Sequence, residues 1–121
     1  MRWYKLAATQ GDADAQLKLG FRYGKGQGVV RDYAEAVRWY KLAATKSHAG
    51  AQYNLGTMYY NGQGVVQDDI RAHMWFSLGA LTDKDSGVSR DIVAKLMTPQ
   101  QITQAQKLAR ECQARNFKNC D

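Results

Sequence analysis

The chain has 121 residues and a mass of 13.6 kDa, the size of one domain. With 45% hydrophobic and 23% charged residues it has enough apolar surface to offset the entropy of ordering, which excludes intrinsic disorder, and no apolar run approaches the roughly 20 residues of a membrane span. A net charge of +6 is too modest to imply nucleic acid by itself, and two cysteines cannot make a disulfide-rich scaffold.

Shifted by 36 residues, the chain falls on itself. Arg2 to Thr9 recurs unchanged as Arg38 to Thr45. Ala13, Ala15, Gln16, Leu19, Gly20 and Tyr23 fall on Ala49, Ala51, Gln52, Leu55, Gly56 and Tyr59. Gly26 to Val30 falls on Gly62 to Val66, and Asp32 on Asp68. In all, 21 of the 36 positions from 2 to 37 are identical one period later. Trp75, Leu78 and Ala80 continue the match as a third, partial copy. An internal period of this length signals a solenoid of stacked units.

Each unit reads as two helices. Residues 2–9 correspond to a second helix, so residues 1–12 form a partial unit. Over 13–23, Ala13, Leu17, Leu19, Gly20 and Tyr23 share one apolar arc, opposite Asp14, Lys18 and Arg22. The glycines of segment 24–32 break that helix. Val29 and Val30 are expected to plug the open end of the pair, and Asp32 to cap the next helix. Over 33–45, Tyr33, Ala36, Trp39, Tyr40 and Ala43 form the apolar arc, while Ala34, Arg38 and Lys41 face away. Residues 49–84 repeat the unit 13–48. Ala15, Gly20 and Ala43, in register with Ala51, Gly56 and Gly79, leave room for close helix approach, and Trp39 is expected to be buried between units.

After Leu81 the glycine loop disappears. The pattern predicts a helix over 89–97. Thr98 as N-cap, Pro99 at the first position and Gln101 closing a capping box then start a last helix over 100–115. Residues 85–121 thus read as capping helices. One helix pair cannot bury both its faces, so the units must stack, and the fold is expected to be an all-α solenoid with a 36-residue repeat.

The unit Ala-x-Ala-Gln-x-x-Leu-Gly-x-x-Tyr, followed by Gly-x-Gly-Val, Asp, Ala and Trp-Tyr-x-x-Ala-Ala, resembles the Sel-one-like repeat (SLR), a relative of the tetratricopeptide repeat. The resemblance covers residues 2 to about 81, and the segment from Met97 to Arg110 looks like the C-terminal end common in bacterial members. It implies a right-handed superhelix of antiparallel helix pairs. It also implies an adaptor that binds proteins and has no chemistry of its own.

In that architecture the polar side of the first helices lines the inner curve. Lys18, Phe21 and Arg22 stand there in one unit, and Asn54, Thr57 and Met58 in the next. These positions differ between copies while the scaffold positions repeat, so packing does not dictate them. Phe21 and Met58 read as exposed apolar anchors. The six residues are the expected contact site for a protein or peptide. A competing reading is a structural fragment whose uncovered N-terminal helix, with Trp3 and Tyr4, pairs with a second copy as a homo-oligomer. A remote third is a cell-envelope enzyme acting through Cys112 or Cys120.

Those two cysteines are eight residues apart. Either a helix end turns back and brings them within bonding distance, or Cys112 is half-buried and Cys120 loose; cysteine-rich bacterial SLR members pair cysteines at this spacing. Residues 1–6 contain no apolar leader, so the compartment stays open: periplasmic or secreted if a leader has been removed, otherwise cytoplasmic.

No catalytic, cofactor-binding or metal residue is expected. The loop from Gly24 to Gly28 follows a helix and lacks the Gly-Lys-Ser/Thr of a P-loop. His48 and His73 have no companions at metal-ligand spacing. Gln16 and Gln52, inside the apolar arc, read as structural amides bonded to neighbouring backbone. Arg2/Arg38 and Lys5/Lys41 read as a solvated outer face, interrupted at Met74 and Ser77, and not as a nucleic-acid surface. On such a face Arg38→Ala is expected to cost under about 0.5 kcal/mol.

Overall fold

A computed structural model describes residues 2–120, Arg2 by its backbone only, so the outer-face reading of the Arg2 side chain lies outside the described residues. The described chain is helical, with no strand: α1 (Arg2–Thr9), α2 (Ala13–Lys25), α3 (Tyr33–Ala44), α4 (Ala49–Asn61), α5 (Asp69–Gly79), α6 (Lys84–Ala94) and α7 (Pro99–Ala114). Each helix from α1 to α5 packs on the next, and α7 packs back on α5. Antiparallel pairs α2–α3 and α4–α5 are successive turns of a right-handed solenoid.

The repeat recurs at the level of single hydrogen bonds. Asp32 and Asp68 cap α3 and α5 by accepting from the Glu35 and Arg71 N–H groups, and Gly26 and Gly62 close α2 and α4 in the left-handed region. The Asp32 and Asp68 N–H groups donate to the Tyr23 and Tyr59 carbonyls. Gln16 Nε2 donates to the Ala8 carbonyl and Gln52 Nε2 to the Ala44 carbonyl, at 3.0 and 3.3 Å. Both glutamines are buried, and each gives a second hydrogen bond to a carbonyl at the end of the preceding helix that already accepts a backbone N–H, from Gly11 and Ser47 respectively. One cap departs from the pattern. His48, where α2 has Asp12, caps α4 through Nδ1 and pairs with Asp14 of α2 through Nε2, tying the two first helices together.

Close packing follows from the small residues. A Cβ added at Gly20 would lie 2.7 Å from the Tyr40 ring, and one at Gly56 would lie 2.8 Å from the Phe76 ring. The core runs from Ala36 through Leu55, Met74 and Trp75 to Ala105 and Cys112. Val30 does not plug the helix pair: it is 88% exposed, and Val66 repeats this; the first valines, Val29 and Val65, are half-buried, and of the two Val65 packs against the main core.

The capping helices differ from expectation at one end. α6 begins at Lys84, not near 89, because Asp83 caps it and accepts from the Ser86 hydroxyl. Ser86 then sits where a Cβ on Gly79 would be, 2.6 Å from the Ser86 Oγ, so α6 meets α5 closely. α7 carries the full Thr98–Gln101 capping box with Pro99 in its first turn.

His73 occupies the position of Val37 one period on and is equally buried. Burial, and then the Arg90 charge, hold its imidazole below the ordinary value of about 6.5, with Asp91 opposing. The unfolded chain therefore binds this proton more readily than the folded one. Stability is expected to be intact above about pH 6.5 and to fall as pH drops below it. Thermal melts of the protein and of His73→Val between pH 7 and 5 check this: the substitution should flatten the decline, and parallel curves would show that His73 contributes none of it.

Candidate functional site

The six residues singled out from the sequence lie on neighbouring faces of α2 and α4. They line two adjoining hollows. The first, about 220 Å³, is walled by Lys18, Phe21, Arg22 and Asn54 together with Tyr4 and Leu17. The second, about 200 Å³, is walled by Phe21, Asn54, Thr57 and Met58 together with Tyr33 and Tyr40. Phe21 and Asn54 belong to both, so the hollows form one groove across two units.

Phe21 stands at the ridge between them, 44% exposed. Met58 does not stand out. It is buried in the main core and reaches the groove only as part of its floor. α4 buries a wider arc than α2, although each has a packed neighbour before and after it: besides Ala51, Gln52, Leu55 and Gly56 it buries Met58 and Tyr59, where α2 buries only Ala15, Gln16, Leu19 and Gly20. Thr57 turns its hydroxyl to its own helix, donating to the Tyr53 carbonyl at 3.1 Å.

Three aromatic residues of the groove went unassigned as site residues. Tyr4, from α1, lies beneath the Arg22 guanidinium at 4.9 Å and the Lys18 ammonium at 5.6 Å. Lys25 lies over Phe21 at 5.7 Å, and Arg31 over Tyr33 at 5.3 Å. The face thus alternates cations and rings, a pattern that fixes long side chains without neutralising them. Lys18 and Arg22 are spaced i, i+4 on one helix face, and only the packing of α1 on α2 supplies the ring beneath them. Tyr40 forms the inner wall, and burial pushes its hydroxyl up to about 12, so it stays protonated at any physiological pH.

At the other end Cys112 and Cys120 are disulfide-bonded, with Cα atoms 5.1 Å apart. The bonded loop passes through left-handed conformations at Asn116, Phe117 and Asn119 and lays Phe117 and Cys120 against the core beside Trp75. With both sulfurs bonded there is no free thiol. Among the described residues no three His, Cys, Asp or Glu side chains converge as a metal site would require. Among the described residues no helix is long and apolar enough to cross a membrane.

The family pattern described as the Sel1 repeat matches residues 1–12, 13–48 and 49–81. The chain belongs to the Sel1 repeat family. Sel1 repeats are helical units of the kind that typically build protein-interaction scaffolds. Among solved structures, the chain is similar to a protective antigen present in uropathogenic Escherichia coli strains that displays an SLR fold. The two are 32% identical with a TM-score of 0.91 over 98% of this chain, which spans only 26% of that structure's length. It is also similar to a Sel1 repeat protein from Oxalobacter formigenes, 34% identical with a TM-score of 0.71, over 74% of this chain and 68% of that one. No curated protein matches the sequence.

Proposed function

We propose that this Sel1 repeat domain is a scaffold that binds a protein or peptide along the α2–α4 groove and carries out no chemistry of its own. The observation that carries this reading is the convergence of six residues that vary between the repeats on one groove, around a half-exposed Phe21. Phe21 supplies the apolar anchor, and Lys18, Arg22 and Lys25 favour acidic groups on the partner. The Cys112–Cys120 bond supports an oxidising compartment as the place of action.

A displayed random-peptide library selected on the intact domain tests it. Phe21→Ala with Arg22→Ala is expected to weaken the selected peptides by about 2 kcal/mol or more, roughly 30-fold. Arg38→Ala with Lys41→Ala, on α3, should barely change them. Dependence on the α3 pair and not the α2 pair would place binding on the outer surface and end the proposal. Added salt should weaken the charged part of the contact.

One observation favours self-association as a second reading. Trp3 and Trp39 occupy the same repeat position, yet Trp3 is 71% exposed and Trp39 only 3%. Leu6 is exposed beside it. A second copy seated on α1 would cover both. Sedimentation over a wide concentration range should show a dimer that Trp3→Ala abolishes; a monomer at every concentration removes this reading.

A further inference from the structure

The last unit departs from the repeat. α6 and α7 both pack on α5 and diverge from it. Between the three helices lies a cleft of about 680 Å³, about three times either hollow of the α2–α4 groove. This is within the range of ligand sites, about 300–1,000 Å³. Its lining comes from three chain segments and is shared with none of the six residues discussed above.

The floor is aliphatic: Leu78 of α5, Ala94 of α6, and Ile102 and Ala109 of α7. The rim is polar and positive. Arg90 pairs with Asp91 at 3.2 Å, which accounts for the one carboxylate of the lining. Arg110 faces the same cleft from α7 and has no ion-pair partner among the described residues. His73, on the α5 wall, is kept neutral by burial and by Arg90. The surrounding segment 84–118 has seven Lys and Arg against three Asp and Glu, which is most of the chain's net charge.

We propose that this cleft is a second binding site, for an extended acidic peptide segment that lays an aliphatic side chain on the floor and carboxylates between Arg90 and Arg110. Two features favour a peptide. Gln106 and Gln113 line the cleft two turns apart on α7, about 10 Å along the helix. Three residues of an extended chain at about 3.3 Å each cover the same distance. Each glutamine amide both donates and accepts, so the pair can serve peptide N–H and C=O groups at both ends of that span. No Phe, Tyr or Trp lines the cleft, so a nucleic-acid strand would find no stacking platform of those rings.

The test uses the intact chain at low salt, with backbone amide NMR as the readout. The probes are a capped peptide of alternating Asp/Glu and Leu/Ile, its Asn/Gln counterpart of the same shape, and a thymidine oligonucleotide. The acidic peptide should cause saturable shifts at Ser77, Arg90, Ala94 and Arg110. The neutral peptide should bind at least tenfold more weakly. Arg110→Glu should lower the acidic peptide's affinity for the cleft, read from the Ala94 shifts, at least tenfold with the melting temperature unchanged, and Lys107→Gln, exposed on the same helix outside the lining, should leave it unaltered. Arg90→Gln gives a second variant, and the peptide comparison on the unsubstituted protein stands whatever the variants do. Equal binding of acidic and neutral peptides, shifts confined to Lys18–Arg22, or stronger binding of the oligonucleotide at the cleft would each overturn the proposal.

Discussion

Replacing Trp39 with alanine is expected to cost about 3 kcal/mol of folding stability, at the lower end of the range for large aromatic residues in a core. The indole is buried against Ala8, Ala15 and Leu19, so it fills the junction between α1–α2 and the next unit. Alanine would leave a hole that these short side chains cannot close. Two local features set the size of the effect. The buried Trp39 indole N–H makes no hydrogen bond of good geometry and acts only weakly on the Glu35 carboxylate, so the loss is chiefly one of packing. The outer ring face is covered by Arg38, whose guanidinium lies 4.5 Å from the ring and is itself held by Glu35 at 2.8 Å. Arg38 is thus a lid on the tryptophan and not a merely solvated side chain. Arg38→Ala is therefore expected to cost about 0.5–1 kcal/mol, above the value for a plain surface site. Urea unfolding of both variants measures the difference. Equal losses would mean that the ring is not the inter-unit wedge.

The second large effect is expected at Gly64. Its φ of +76° is the same as the +75° of Gly28 one period earlier, so any L-residue meets the same backbone penalty at both, roughly 1–2 kcal/mol. The surroundings differ. A Cβ on Gly64 would fall 2.6 Å from the Tyr33 carbonyl carbon and 2.9 Å from the Ala34 nitrogen. These are backbone atoms at the start of α3 and cannot swing aside. A Cβ on Gly28 meets nothing within 4 Å. Gly64→Ala is therefore expected to cost about 3 kcal/mol or more and Gly28→Ala about 1 kcal/mol. Chemical denaturation of the two variants makes the comparison, and similar values would show that loop seating does not fix the angle between units. That angle has a functional consequence, since Tyr33 and Gln63 line the groove beside the seat. A Gly64 variant that still folds should also bind groove peptides less well.

Much of this architecture is legible in the sequence because a repeat states its scaffold twice. Gly20 and Gly56, Gln16 and Gln52, Asp32 and Asp68 each answer to one local requirement: a ring in contact, a buried amide beside a helix-end carbonyl, an uncapped helix. Such requirements are met within a unit or between neighbours, so periodicity and capping chemistry suffice to read them. The groove was legible in part for the complementary reason, that Lys18, Phe21 and Arg22 break the repetition.

What only tertiary structure decided depends on which side chains the neighbouring helices bring to each face. Met58 is core and not anchor because α4 buries a wider arc than α2 within the main core, a fact that no helical wheel of α4 contains. Tyr4 joins the groove because α1 folds back on α2 and brings a ring beneath Lys18 and Arg22. Arg38 is a lid because Glu35 orients it over Trp39. The cleft beneath Arg90 and Arg110 exists because α6 and α7 share α5 as their support. Side chains far apart in sequence converge there without any spacing that announces it, since the distance between two helices is set by the third helix they both bury.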